Sequence, residues 1–245
     1  MDGELLGGNM NSVTRVGATV HRRAGPWTRT IHRYLRHLGA VGISWVPQPL
    51  AIEGDREVLS FVEGEVPLYP LPGWVWSDEA LVHAARHLRM LHDASVDFDR
   101  EAAIWQLPTH EPVEVICHND FAPHNLAFDD GRVVGVIDFD TSSPGPRIWD
   151  IAYLATRMVP LTAQHPENAP GPEQVDRRLQ LLLRTYGSDA SPEDVICVAI
   201  IRLRDLAEFS RSKALELGKP NLVLDAEQYE RDASHLESRS KQGSD

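Results

Sequence analysis

Apolar and polar positions change period along the chain, and the change divides it in two. Over residues 4–23 the pattern is that of short strands. Ser12–Val16 and Ala18–Arg22 are strand-like, with Gly17 between them and the turn-rich Gly7-Gly8-Asn9-Met10-Asn11 before them. Glycine and asparagine tolerate the positive φ that tight turns require. Ala24-Gly25-Pro26-Trp27 breaks this pattern, and a helical one follows. Thr28 is placed as the N-cap of a helix running to about Leu38, with Ile31, Leu35 and Leu38 on one face and Gly39 and Gly42 ending it. Two further strands, Leu50–Glu53 and Glu57–Val62, flank a turn at Gly54-Asp55, and Glu63-Gly64-Glu65 with the proline-rich Pro67–Pro72 reads as a linker.

Beyond the linker the period is mostly helical. Ser77 caps a helix to about Ala94, with Leu81, Ala84, Ala85, Leu88 and Leu91 recurring at helical spacing. Val113–Cys117 is a short apolar strand. Leu126–Phe128 and Val133–Ile137 flank Asp129-Asp130-Gly131, which signals a hairpin. Helices are predicted near 147–158, 173–187, 192–217 and 224–238, and Ser238–Asp245 reads as a polar, frayed tail. The resulting division is a β-rich part over 1–66, a helical part over 67–240 and a tail over 241–245.

The chemistry concentrates in His118-Asn119-Asp120-Phe121-Ala122-Pro123-His124-Asn125 and in Val136-Ile137-Asp138-Phe139-Asp140. Phosphoryl transfer from a nucleotide needs a carboxylate to orient or accept a hydroxyl proton and hard oxygen ligands for magnesium. Asp120 suits the first task. Asn125 and Asp138 suit the second, and Asp140 is a second acidic ligand or a bystander. His118 reads as a group that orders the loop or as an acid. Asp150, at the start of a helix, reads as a cap or as a brace for the loop. Either piece alone is a common turn or strand-end pattern; the two in order, each beside a short strand, carry the reading.

These residues resemble the aminoglycoside phosphotransferase family, within the protein-kinase-like fold. Its pattern is His-Gly-Asp, four residues, Asn, then Ile-Asp-Phe/Trp-Asp/Glu, and here Asn119 stands where glycine is common. The resemblance is strongest over about residues 80–160. It implies an α+β, two-lobed fold with a small β-rich N-lobe and a larger, mostly helical C-lobe, ATP or GTP as donor, and Mg²⁺. It implies Asp120 as the catalytic aspartate, Asn125 and Asp138 as magnesium ligands, and Asp150 as the structural aspartate that steadies the loop. It assigns Gly7, Gly8 and Asn9 to a nucleotide-covering loop. Of the basic strand Val20-His21-Arg22-Arg23, Arg22 becomes the phosphate-facing cation, with Arg23 next. Kinases pair that cation with a glutamate on the following helix, yet Thr28–Leu38 holds no acid at all; its basic residues are Arg29, Arg33 and Arg36, with His32 and His37 beside them.

Two function classes therefore stand at this point. One is an ATP-dependent O-phosphotransferase acting on a hydroxyl of a small molecule, such as an aminoglycoside-like or other cationic or polar compound. The other is a non-catalytic, pseudokinase-like binding or immunity protein, which the acid-free helix suggests. A protein kinase fits less well, because Thr141–Arg147 is too short for a peptide-docking segment. Asp205 and Glu208 share a helix face and are candidates for cation recognition, with Asp176 and Asp194 behind them. A net charge of −12 suits a cationic substrate and equally suits simple solubility, and it argues against a nucleic-acid surface. No apolar run reaches the ~18–20 residues of a membrane span, and the N-terminus lacks a secretory layout, so a cytoplasmic location is expected. Cys117 and Cys197 form no metal-spacing motif, and no disulfide is expected. Nothing in the sequence sets an oligomeric state.

Overall fold

A computed structural model of the chain describes residues 4–6, 13–163, 166 and 168–242. The chain forms two compact units, each made from two stretches: Met1–Pro67 with His87–Arg147, and Leu68–Arg86 with Ile148–Asp245. Among the described residues the first carries all the strands and the second is helical, so the fold is mixed α+β with a β-sheet part and a helical part.

In the first unit, β1 (Glu4–Leu6), β2 (Val13–Val16), β3 (Thr19–Arg23), β4 (Pro49–Glu53) and β5 (Arg56–Ser60) form one antiparallel sheet in the order β1-β2-β3-β5-β4. The β3–β5 register sets Arg22 directly opposite Glu57, and directly opposed residues present their side chains to the same face. Helix α1 (Thr28–Ala40) starts one residue earlier than a Thr28 cap allows. Thr28 lies inside the first turn, and its hydroxyl accepts from the Gly25 N–H at 2.8 Å. That bond reaches back across the entry turn and closes it. The apolar face of α1 buries Ile31, Leu35 and Leu38, and Tyr34 stacks edge-on against Phe98 at 5.2 Å and Phe139 at 6.1 Å. His37 Nε2 lies 2.8 Å from the Ala94 carbonyl, and Arg33 donates to the carbonyls of Asp99 and Glu101. The helix is thus clamped to the last turn of α2 (Asp78–Ser95) and to the segment that follows it.

The rest of this unit is two small ladders. β6 (Val115–Cys117) pairs with β9 (Ser143–Gly145), and β7 (Leu126–Asp129) pairs with β8 (Arg132–Val136) around the predicted turn. The linker is stitched to this hairpin. Glu65 and Phe128 exchange backbone hydrogen bonds at 2.7 and 2.8 Å, and Val136 N donates to Trp45 O at 3.0 Å. Gly64 permits that approach: its φ is +133°, and a Cβ there would meet the Ala127 Cβ at 2.9 Å and the Phe128 carbonyl at 3.0 Å.

The second unit holds the first turns of α2 with α3 (Arg147–Met158), α4 (Val175–Tyr186), α5 (Pro192–Leu217) and α6 (Asn221–Gln242). The pairs Arg211–Glu230 and Arg204–Glu237 run in opposite directions along α5 and α6, so the two form an antiparallel hairpin. Gly218 turns the chain between them with φ +63°. α6 runs past the expected end near Ser238 to Gln242; Ala233 and Leu236 are buried, and the polar residues after them tolerate a helix. Ser77 caps α2 as expected, its hydroxyl accepting from Ala80 N at 3.1 Å. Arg178, buried, donates to Asp78 and to the Met158 carbonyl, both at 2.8 Å. Among the described residues no helix is long and apolar enough to cross a membrane.

Gly64→Ala should destabilise the protein by about 2–4 kcal/mol, because the backbone strain and the contact with a carbonyl cannot both be relieved. Gly17→Ala, with φ +60° and open space around the new Cβ, should cost about 1 kcal/mol. Urea unfolding of both variants measures the difference; equal losses would contradict the packing described.

Candidate active site

The two sequence motifs become one structure through the β7–β8 hairpin. The loop after β6 runs from His118 to Ala122, and a single 3₁₀ turn at Pro123–Asn125 leads into β7. The hairpin then brings the chain back: Leu126 pairs with Val136, and Ile137 N donates to the Asn125 carbonyl at 2.9 Å. This register sets Ile137 against Asn125, and Asp138 is the next residue along. A second 3₁₀ turn, Phe139–Thr141, follows.

Side chains lock the two segments together. His118 is buried; its Nε2 lies 3.0 Å from the Ile137 carbonyl, and its Nδ1 accepts from Asp120 N at 3.2 Å. Its ring packs on Phe139 at 4.8 Å. Both nitrogens are thereby occupied in ordering the loop. Asn119 has φ +65°, which explains why glycine suits this position and why asparagine, the best of the other residues there, replaces it. Its Nδ2 donates to the Thr141 carbonyl and to Ser143 Oγ, both at 2.8 Å, and Thr141 Oγ1 donates to the His118 carbonyl at 3.0 Å.

Asp120 stands partly open at the centre of the loop. Asn125 Nδ2 donates to its Oδ2 at 2.8 Å and to its backbone carbonyl at 2.9 Å. That orientation fixes the amide, so the Asn125 oxygen points away from Asp120. His124 Nε2 lies 3.4 Å from the same carboxylate.

Facing this loop within the same unit is a buried guanidinium. Arg22 gives each of its three nitrogens to a different carboxylate: Nε to Glu57 at 2.6 Å, Nη1 to Asp138 at 2.7 Å and Nη2 to Asp140 at 2.5 Å. Arg23, next in the strand, is exposed. Glu57 is fully buried, and its second oxygen lies 2.9 Å from His32 Nε2 on α1. Burial opposes the charge on Arg22, but the three acids outweigh it and hold its pKa above the ordinary value. Burial likewise opposes ionisation of Glu57, and the bonds from His32 and Arg22 prevail, keeping its carboxyl below the usual range. Asp140 goes the other way. Burial pushes it up to about 7 against the pull of Arg22, with repulsion from Asp138 and Glu57 adding to the rise. Asp138 is half exposed, with φ +61°.

The acid that sequence reasoning sought on α1 is therefore on β5, and the helix contributes a histidine. Two signals pointed to it: a glutamate leading the apolar run Val58-Leu59, and a histidine next to Ile31 on the apolar face of the helix.

Asp120, His118, Asn125, Asp138, Asp140 and Arg22 all lie in this unit. Gly7, Gly8 and Asn9 lie outside the described residues. Asp150 is buried in α3 of the second unit, and Asp205 and Glu208 are exposed on α5. Asp194 is engaged as the third residue of the capping box of α5, where its carboxylate accepts from Ser191 N at 2.9 Å.

The donor set of this site fits a small hard cation. Three acids surround a single guanidinium, leaving a surplus of negative charge, and Asn125 and Asp138 are the oxygen donors such a cation would use.

A model of the phosphotransferase enzyme family matches residues 69–190, which includes the whole of both motifs. The chain belongs to this family. Family membership accords with solved structures of low sequence identity, which show the same fold. Choline kinase LicA from Streptococcus pneumoniae aligns with a TM-score of 0.66 at 17% identity over 97% of this chain and 94% of that one. The APH(2")-IIa structure, a ternary complex with streptomycin and ATP, aligns with a TM-score of 0.61 at 15% identity over 94% and 93%. In sequence, a trifolitoxin immunity protein from Rhizobium leguminosarum bv. trifolii is 38% identical over 148 residues, covering 57% of this chain and 55% of that protein. The chain thus spans little more than half the length of this curated relative.

The left-handed backbone at Asn119 gives a direct test of the loop. Asn119→Ala loses two side-chain hydrogen bonds and keeps the strain, and should cost about 2–4 kcal/mol. Asn119→Gly loses the bonds and relieves the strain, and should cost about half as much. Equal destabilisation of the two in thermal or urea unfolding would contradict this account of the loop.

Proposed function

We propose that this phosphotransferase-family protein moves the terminal phosphoryl group of ATP to a hydroxyl of a small polar molecule. The observation that carries the reading is the pairing of Asp120, oriented by Asn125, with a second acidic group at Asp138 that Arg22 balances. In this reading Asp120 receives the acceptor hydroxyl and orients its lone pair for in-line attack, which is most of what a loose transition state asks of a base. Asn125 and Asp138 would hold magnesium, with Asp140 beside them. Bound there, the ion would neutralise the charge of the nucleotide phosphates. Arg22 offers donors to the phosphate oxygens, His118 and Asn119 keep the loop in register, and Asp150 supports it as the resemblance implies. Gly7, Gly8 and Asn9 would cover the nucleotide.

For the acceptor, the net charge of −12 and the exposed carboxylates of Asp205 and Glu208 favour a polar or cationic compound. The name of the Rhizobium relative supports a second reading, in which the protein confers immunity by binding a toxin without phosphorylating it. The two differ in what nucleotide does. Ligand at ~100 times its Kd stabilises a folded protein by about 2.7 kcal/mol, so millimolar Mg·ATP should raise the melting temperature by several degrees. Absence of any shift would favour the binding reading.

Asp120→Ala should lower transfer, or slow ATP hydrolysis in the absence of an acceptor, by roughly 100-fold or more while leaving the Mg·ATP melting shift in place. Asp138→Asn should abolish the Mg-dependent part of that shift. Full turnover by Asp120→Ala, measured by phosphate release, would remove that residue from the mechanism.

A further inference from the structure

Arg22 presents two edges with different surroundings. Its Nε edge faces Glu57, which is fully buried, directly opposed across the sheet, and held from behind by His32 on α1. Its Nη edge faces Asp138, which is half exposed, and Asp140. An incoming group can reach the second edge and cannot reach the first. Three of the five N–H donors of Arg22 are engaged, and each Nη gives one of its two to an aspartate.

We infer that Glu57, fixed by His32, is the positioning residue for Arg22, and that it takes the place of the helix-borne acid that kinases use. This rests on the phosphotransferase reading above. On nucleotide binding, the Nη donors pass from Asp138 and Asp140 to phosphate oxygens, and the Nε–Glu57 bond stays as the pivot. Helix α1 acts through one more link than in a kinase: His32 aims Glu57, and Glu57 aims Arg22. The geometry favours this over a purely structural ion pair. A structural pair would be complete with one acid, whereas here the guanidinium is divided between an anchored side, on fully buried Glu57, and an exchangeable side, on Asp138, which is half exposed, and its neighbour Asp140. The same division gives Asp138 a partner until a cation frees it.

Glu57→Gln keeps the shape of the side chain and removes its charge. Arg22 still has two acids, so its own charge remains compensated and the fold should persist. Two readouts separate positioning from structure. The first is the Arg22 Nε–H signal in a ¹H–¹⁵N NMR spectrum. In the wild-type chain it should exchange slowly with water, both alone and with Mg²⁺ and a non-hydrolysable ATP analogue; in Glu57→Gln it should lose that protection. The second is the Kd of the same Mg–analogue complex, which should rise about tenfold or more in Glu57→Gln, the worth of a hydrogen bond between charged groups. Should Glu57→Gln not fold, Glu57→Asp, which keeps the charge but withdraws it by one methylene, is expected to weaken binding in the same direction. Equal Kd values for wild type and variant, or an unprotected Nε–H in the wild type, overturn the assignment to Glu57 and leave the phosphotransferase reading standing. A protected Nε–H in a wild-type protein that binds no Mg-nucleotide overturns the phosphotransferase reading, and the positioning role with it.

Discussion

A guanidinium taken out of water must be met by acids, and the acids must be held where it ends up. Arg22 is met by three, drawn from a neighbouring strand and from the single 3₁₀ turn after β8. Each is placed by a different device. Glu57 is placed by the β3–β5 register and by His32. Asp138 is placed by a left-handed backbone, and Asp140 by a 3₁₀ turn whose Phe139 lies under Tyr34 and His118. Such a cluster is a poor source of net stability, since desolvation consumes most of what attraction supplies. What it provides is a fixed geometry, and it makes the sheet and the loop around Asp120 one object.

The loop depends on that geometry in turn. Asp120 is partly open, yet every neighbour that could let it wander is tied down: the amide of Asn125 to Asp120, the imidazole of His118 to Ile137, the amide of Asn119 to Thr141 and Ser143. Preorganised groups of this sort need little rearrangement when charge develops near them. The high pKa of Asp140 follows from the same economy. Three acids and one guanidinium in a buried space leave more negative charge than burial tolerates.

Long-period features were legible in the sequence. The helical repeat of Leu81, Ala84, Ala85, Leu88 and Leu91 located α2, and Asp129-Asp130-Gly131 located the hairpin that unites the two motifs, because turn chemistry and apolar spacing are local properties. Features that depend on pairing were not legible. Ser143-Pro144-Gly145 carries no strand pattern and becomes β9 only because β6 lies alongside it. Thr28 looks like a cap, but Gly25 uses its hydroxyl from the other direction. The acid partner of Arg22 was sought along the helix, where none exists, since which strand residue opposes Arg22 is decided by register across the sheet. The residues of the Asp120 loop were legible as a set because their spacing is close and their residue types are those the chemistry requires.

The chain belongs to the phosphotransferase enzyme family and shares its fold, and the cluster around Arg22 is the feature on which the proposed function turns. The most direct test is a crystal structure with Mg²⁺ and a non-hydrolysable ATP analogue. The account predicts a metal held by Asn125 and Asp138, phosphate oxygens on the Nη edge of Arg22, and Asp120 facing the terminal phosphate. Nucleotide bound away from these residues, or Arg22 still closed on Asp138 and Asp140 at saturating ligand, would contradict it.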